Sequence, residues 1–132
     1  MAKSERYCTK EQSDRLRELG FIWPTNRCFC DTTGEDFHFD TPKPYNLPKY
    51  DGKTWTQIPT QQMTLDWFDI KGVFIEICAF VNGTHGFGFQ VKKKNTMNIF
   101  TNFKIYDSRG EATDAAISYV LNNKMLENDE QQ

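Results

Sequence analysis

Residues 73–94 read VFIEICAFVNGTHGFGFQVKKK, the longest run of strand-forming residues in the chain. Valine, isoleucine and phenylalanine suit the pleated surface of a sheet, and Asn-Gly at 82–83 marks a reversal of direction. A two-residue turn there would put the apolar side chains of the two strands out of phase. A longer loop over 82–86 pairs Ile77 with Val91 and collects the apolar side chains on one face. We therefore predict a hairpin with the longer loop.

The predicted register gives this hairpin two different faces. It pairs Ala79 with Phe89, and it sets Glu76 opposite Lys92 as a modest ion pair. One face then carries Ile75, Ile77, Ala79, Phe87 and Phe89. The other face carries Phe74, Cys78 and Phe80. Because that second set is apolar as well, the second face is not a plain solvated surface.

Capping signals predict two helices near the ends of the chain. Thr9 lies three residues before Gln12, and Ser108 lies three residues before Glu111, which is the spacing of a capping box. The first helix is expected to end at about residue 19, because Gly20 follows it. The second helix is expected to continue to about residue 124.

A third helix is predicted immediately before the central hairpin. Thr60 is placed to cap its start, and Gly72 is placed to end it. Met63, Trp67 and Ile70 form its apolar side, with Trp67 as the expected anchor against the sheet. This helix should therefore pack on the hairpin that follows it.

The predicted elements define an α+β fold in two layers. The antiparallel sheet is centred on residues 73–94, and alternation over 97–105 predicts a further strand. The helices that begin at Thr60 and Ser108 are expected to pack together on one face of this sheet. A short edge strand is also expected over 53–58.

The length of the chain predicts a single domain over residues 1–132. A Pro-rich arm is expected at 41–53, and a frayed acidic tail is expected at 125–132. No apolar run approaches the ~20 residues of a membrane-spanning helix, and the first residues lack the apolar core of a signal peptide. We therefore expect a cytoplasmic protein with reduced cysteines.

A second hairpin is predicted over residues 27–40, with its turn at 32–34. This register pairs Phe29 with Phe37, so four possible zinc ligands fall together on the opposite face. They are Cys28, Cys30, Asp36 and His38. The alternative is that these are ordinary strand residues, because a Cys-x-Cys on a strand lacks the spacing of common structural zinc sites. We expect no cofactor, with zinc as the alternative.

Lysines 92–94, with Lys104, are the sequence feature that favours nucleic-acid binding, since aromatic residues near them would stack on bases. The alternative is a charged strand end that discourages edge-to-edge aggregation. A net charge of -2 and a pI of about 5.7 favour the alternative. We expect neither a nucleic-acid partner nor a membrane partner, and no sequence motif indicates catalysis.

The aromatic residues exceed what a two-layer core should absorb, and such a surplus is typical of interaction surfaces. The candidates are Phe74, Phe80, Trp55, Tyr45 and Tyr50. The competing interpretation is that helices cover both faces of the sheet. We predict that these residues bind an unknown protein partner or a second copy of the chain.

Three segments resemble a known family: YCTKEQSDRLRELGF at 7–21, IPTQQMTLDWF at 58–68 and YDSRGEATDAAISYVLNN at 106–123. They are similar to small uncharacterised proteins of gut Bacteroidales genomes, prophages and phages. The resemblance covers most of the chain, except the Pro-rich arm and the Cys-containing hairpin. It implies an origin on a mobile element and supplies no catalytic residue. We expect a non-catalytic accessory protein of a phage or other mobile element that acts by protein–protein binding.

Overall fold

The fold was obtained as a computed structural model, which describes residues 6–43, 55–80, 85–96 and 99–126. Its elements are α1 (Lys10–Glu18), β1 (Thr25–Cys30), β2 (Asp36–Lys43), β3 (Trp55–Gln57), α2 (Gln61–Lys71), β4 (Val73–Phe80), β5 (Gly86–Lys93), β6 (Ile99–Tyr106) and α3 (Arg109–Asn122). These elements confirm the α+β class. Over the described ranges, the strands form two antiparallel sheets in the orders β2-β1-β3 and β4-β5-β6.

The chain divides into two compact units, Met1–Thr60 and Gln61–Gln132. Each unit contains one of the two sheets. The division falls just before α2, whereas the sequence predicted a single domain and the Pro-rich arm only as a loop within it. Whether the two units fold as one cooperative domain stays a prediction.

In the first unit, α1 begins as its sequence predicts. The Thr9 side chain accepts a hydrogen bond from the Gln12 backbone N–H, and the Gln12 side chain accepts one from the Thr9 N–H, both at 3.0 Å. Gly20 follows the helix with a φ of 97°, a left-handed conformation that glycine adopts without strain. Leu16 is buried completely, so one face of the short helix is docked.

A side-chain network ties α1 to β3 in this unit. Arg17 donates to Asp31 at 3.0 Å and to the Thr56 hydroxyl at 2.8 Å, and that hydroxyl donates to Asp31 at 2.5 Å. Thr56 is almost fully buried, so its polar group needs these partners.

The register predicted for the β1–β2 hairpin is wrong by one residue. Phe29 pairs with Asp36, and Cys28 pairs with Phe37. Cys30 donates its N–H to Glu35 O and accepts a bond from the Gly34 N–H, so the loop has four residues, 31–34, instead of three. Near the turn, this shift of one residue moves Asp36, Phe37 and His38 to the faces opposite the predicted ones.

The predicted arm is shorter at its start than the sequence suggested. Residues 41–43 belong to β2, and Lys43 pairs with Thr25. Pro42 is tolerated there because β2 is an edge strand. The predicted short edge strand is confirmed as β3. The rest of the arm, and the tail from 127 onward, lie outside the described residues.

In the second unit, α2 and α3 pack on one face of the β4-β5-β6 sheet, as predicted. The ring of Phe100 stacks on Tyr119 of α3 at 3.8 Å, and Phe89 lies 6.2 Å from the same ring. Val73 and Val91 are fully buried on this helix-covered face. The further strand predicted over 97–105 is confirmed as β6.

The β4–β5 hairpin has the predicted faces but a different register. Ile77 pairs with Phe89, Ala79 with Phe87 and Ile75 with Val91. Every pair is therefore shifted by two residues from the prediction, which had matched Ile77 with Val91. Because side chains alternate with a period of two, this shift keeps the apolar set on one face. The predicted ion pair is wrong: Glu76 lies opposite Gln90, and Lys92 lies opposite Phe74.

The α2 helix is buried along a stripe that differs from the predicted one. Trp67 is buried, as expected for the anchor, but Ile70 is 71% exposed. Phe68 is buried completely, and Gln61 and Thr64 lie on the same side. The buried stripe therefore runs through Phe68 rather than through Ile70. Gly72 ends the helix with a φ of 84°, as predicted.

Candidate functional site

The face of the second sheet that lies opposite the helices is the candidate site. We call it the open face and define it by Phe74, Glu76, Phe80, Lys92 and Ile99. Phe74 is 43% exposed, Phe80 is 40% exposed and Ile99 is 53% exposed. Large apolar side chains that share one exposed sheet face are typical of interaction surfaces.

The register places these side chains in cross-strand rows. Phe74 of β4 pairs with Lys92 of β5, and Lys92 pairs with Ile99 of β6. The Lys92 ammonium therefore lies in a row with an apolar side chain on each side, and its aliphatic stem can cover part of them. Glu76 occupies the next row opposite Gln90. The open face is thus mainly apolar, with one exposed charge of each sign.

A glycine shapes the far end of this face. Gly86 pairs with Phe80, and a Cβ atom added to Gly86 would overlap Ile105 Cγ2 and lie 2.8 Å from the Tyr106 carbonyl oxygen. Ile105 therefore occupies the space that a side chain at 86 would need. Phe80 therefore has no β5 side chain opposite it, and it is 40% exposed.

The structure places the predicted interaction residues in different parts of the chain. Phe74 and Phe80 share the open face in the second unit. Trp55 lies in the first unit and packs edge to face on Phe37, with 4.7 Å between ring centroids. Trp55 is half-buried, and the Phe37 ring beside it is 41% exposed, so a role of Trp55 in binding stays a prediction. Tyr45 and Tyr50 lie outside the described residues.

Ile99 is the member of the open face that the sequence did not single out. Its alternation with neighbouring apolar residues predicted a strand, but the face on which it lies depends on pairing with β5. The sequence could not assign Ile99 to the open face, because β6 has apolar residues on both of its faces and only the pairing of Ile99 with Lys92 decides which face is which.

The four predicted zinc ligands are not brought together by the observed register. Cys28 and Cys30 lie on one face of β1, and the one-residue shift moves Asp36 and His38 to the other face. Asp36 lies 3.4 Å from Arg27 and 3.6 Å from Lys10. Within the described ranges, no group of three or more His, Cys, Asp or Glu side chains is arranged to hold a metal. The zinc alternative depended on all four side chains sharing one face of the hairpin, and the observed register does not place them there.

The two thiols of β1 differ in their acidity. Burial raises the pKa of Cys28 to about 11, and the carboxylate of Asp36 acts in the same direction. Hydrogen bonds from the side chains of Thr32 and then Thr33 lower the pKa of Cys30 to about 7, against the effect of burial. The Cys30 sulfur lies 3.2 Å from the Thr32 hydroxyl oxygen. Both side chains are inaccessible to solvent, so this acidity does not make an exposed nucleophile.

We predict that Thr32→Val raises the pKa of Cys30 toward the ordinary thiol value of 9.0, because the largest stabilising contact with the thiolate is lost. The measurement is the ultraviolet absorbance of the thiolate across the pH range, with Cys30→Ser to identify the step. In the wild type, the Cys30 thiol binds its proton more strongly in the unfolded chain than in the folded chain between pH of about 7 and 9. Stability should therefore fall as the pH is lowered through that window. An unchanged midpoint in Thr32→Val would contradict the role of the hydroxyl.

A small cavity lies in the first unit, lined by Ser13, Arg17, Phe21, Trp55 and Gln57. Its volume is about 10 Å³, which is room for about one water molecule. This cavity cannot accommodate a substrate or a cofactor in its present shape.

No family model, no curated protein and no solved structure matches the chain. The class of protein that the structure defines is therefore the α+β fold class. Across the described helices, none is both long enough and apolar enough to cross a membrane.

Proposed function

We propose that this chain is a non-catalytic binding protein that acts by protein–protein contact through the open face. The observation that carries the proposal is the exposure of Phe74, Phe80 and Ile99 on one side of the same sheet. Both helices of the second unit pack on the opposite side of this sheet.

The energy available from these side chains fits a binding role. Complete burial of a Phe or Ile side chain stabilises by about 1.5–3 kcal/mol. Since each of the three is already about half covered, their remaining burial would contribute roughly 2–4 kcal/mol in total. That contribution supports recognition, but it is too small to give tight binding without further contacts.

The two charges on the open face would orient a partner. Glu76 and Lys92 are both exposed, and complementary charges in a partner would favour one orientation over others. A nucleic acid would use only the positive charge and would be repelled by Glu76. The charge distribution therefore favours a protein partner over a nucleic acid.

The biological setting is also part of the proposal. The resemblance to proteins of gut Bacteroidales genomes, prophages and phages supports an accessory role on a phage or other mobile element. A cytoplasmic location is supported by the four free cysteines, since thiols stay reduced in that compartment.

The proposal is tested by capture on the immobilised full chain. Wild type, Phe74→Ser and Ile70→Ser are exposed to a lysate of the native host, and bound proteins are compared. Phe74 and Ile70 are both exposed residues of the second unit, but Ile70 lies on α2, away from the open face. We expect Phe74→Ser to lose at least about 90% of a specifically bound partner, and we expect Ile70→Ser to retain it.

Two results would contradict the proposal. One is capture that is equally strong in Phe74→Ser and wild type, which would place the contact elsewhere. The other is tight binding of random single-stranded oligonucleotide that weakens steeply with added salt, which would indicate phosphate contacts.

A further inference from the structure

One edge of the second sheet lacks the features that normally prevent strand pairing between molecules. The β4 strand has eight residues, and each of them pairs with β5 without interruption. Its other side pairs with no strand in the described part of the chain. The strand contains no proline and no lysine, and Glu76 is its only charged residue. Natural edge strands usually carry such residues or bulges because a bare edge invites pairing.

The other sheet edges in the described ranges are each protected. The β6 strand has a bulge in its pairing and carries Lys104. The β2 strand contains Pro42 and two aspartates. The β3 strand is only three residues long. Among these edge strands, only β4 is at once long, regular and almost uncharged. It is therefore the edge best suited to pair with a strand of another molecule.

We propose that β4 pairs antiparallel with β4 of a second copy of this chain, which makes a two-fold symmetric dimer with one continuous six-stranded sheet. The proposal rests on the proposed function in one respect, because it names a second copy as the partner that covers Phe74 and Phe80. The helices of both copies then lie on one face of the joined sheet, and the two open faces join on the other.

Symmetry restricts the register of such a pair. Residues that oppose each other in an antiparallel pair share a face. The two-fold axis of the dimer is perpendicular to the sheet, so it keeps every side chain on its own face. One residue of β4 must therefore pair with its own copy across the axis, and we call this the residue on the axis. Near the middle of β4, the choices are Glu76 and Ile77. With Glu76 on the axis, two carboxylates would oppose each other directly, which is destabilising. With Ile77 on the axis, the two Glu76 side chains are diagonal, about 7 Å apart. We therefore assign Ile77 to the axis.

This register is self-complementary on the open face. Phe74 and Phe80 are each three residues from Ile77, so Phe74 of one copy opposes the partner's Phe80, and this pair occurs twice. Glu76 opposes the partner's Cys78, a small uncharged side chain. Aromatic cross-strand pairs are among the most favourable pairs in sheets. The exposure of the two phenylalanines at symmetric positions on one strand is thereby explained.

The expected affinity is modest. Seven opposed residues on each strand bury less than the ~1,200 Å² of an ordinary stable interface. A reversible dimer with a dissociation constant on the order of micromolar is therefore expected, with exchange between copies at working concentrations.

Sedimentation of the full chain over a range of concentrations tests this inference. Wild type should show a reversible monomer–dimer equilibrium. Cys78→Glu should weaken the dimer at least about tenfold, because each new carboxylate would oppose the partner's Glu76. Cys78→Lys should strengthen it by roughly two- to fivefold for the opposite reason. Phe80→Ser should weaken it at least about tenfold, and Ile70→Ser should leave it unchanged. A strengthened dimer in Cys78→Lys cannot arise from a loss of folding.

Several results would overturn the inference. They are a wild type that stays monomeric up to about millimolar concentration, a dimer with equal affinity in Cys78→Glu and Cys78→Lys, and a dimer unaffected by Phe80→Ser. If the wild type is monomeric but captures a different protein in a Phe74-dependent way, the inference fails and the proposed function stands. If capture also survives in Phe74→Ser, both fail.

Discussion

Replacement of Phe68 by alanine will lower the free energy of unfolding by about 3–5 kcal/mol. Phe68 is one of the largest side chains of the second unit that are fully buried, and its ring lies 6.1 Å from that of Trp67 on the same helix. Removal of the ring would lose its transfer free energy and leave a cavity that the surrounding side chains fill only in part. Urea titration of the variant and the wild type measures the difference.

The matched control is Ile70→Ala, two residues further along α2. Ile70 is 71% exposed, so its truncation should change the free energy of unfolding by no more than about 0.5 kcal/mol. The pair also discriminates between two interpretations of the helix. The sequence favoured a buried stripe through Ile70, which would make Ile70→Ala the more destabilising change. That order of effects would show that the helix is rotated relative to the structure.

Local signals in the sequence were sufficient for the helices. The hydrogen bonds that cap α1 involve residues only three positions apart, so Thr9 and Gln12 determine the start without reference to the rest of the chain. Ser108 opens α3 in the same way, with its hydroxyl accepting from the Glu111 N–H at 3.1 Å. The face of α2 that is buried could not be predicted from local sequence. Both Phe68 and Ile70 are apolar, and only contact with the sheet decides which of them is covered.

Strand register was less predictable, and the two hairpins show why. The β4–β5 pairing differs from its prediction by two residues, which leaves the faces unchanged, so hydrophobic patterning could not detect the error. The candidate open face therefore still contains Phe74 and Phe80. The β1–β2 pairing differs by one residue, because the loop has four residues rather than three. Because of this one-residue difference, Cys28 and His38 lie on opposite faces of the hairpin, so the predicted zinc ligands are not brought together.

The candidate site could be predicted in part for the same reason. Parity along β4 places Phe74 and Phe80 on one face whatever the register, so the sequence is enough for those two residues. The exposure of that face depends on where α2 and α3 pack, which is a long-range property. The role of Gly86 also depends on long-range contacts, because its lack of a side chain matters only once Ile105 of β6 lies beside it.

Substitution of alanine for Gly86 will destabilise the second unit by about 1–3 kcal/mol. In an open strand the same change should stabilise by about 0.5–1 kcal/mol, because glycine is the more flexible residue in the unfolded chain. The sign is reversed here because the added Cβ would overlap Ile105 Cγ2 and crowd the Tyr106 carbonyl oxygen at 2.8 Å. Ile105→Ala removes the first obstacle, so the double variant should be less destabilised than the sum of the single changes, by at least about 0.5 kcal/mol in a urea titration. Strict additivity, or a more stable Gly86→Ala, would show that Ile105 does not occupy the space beside Gly86.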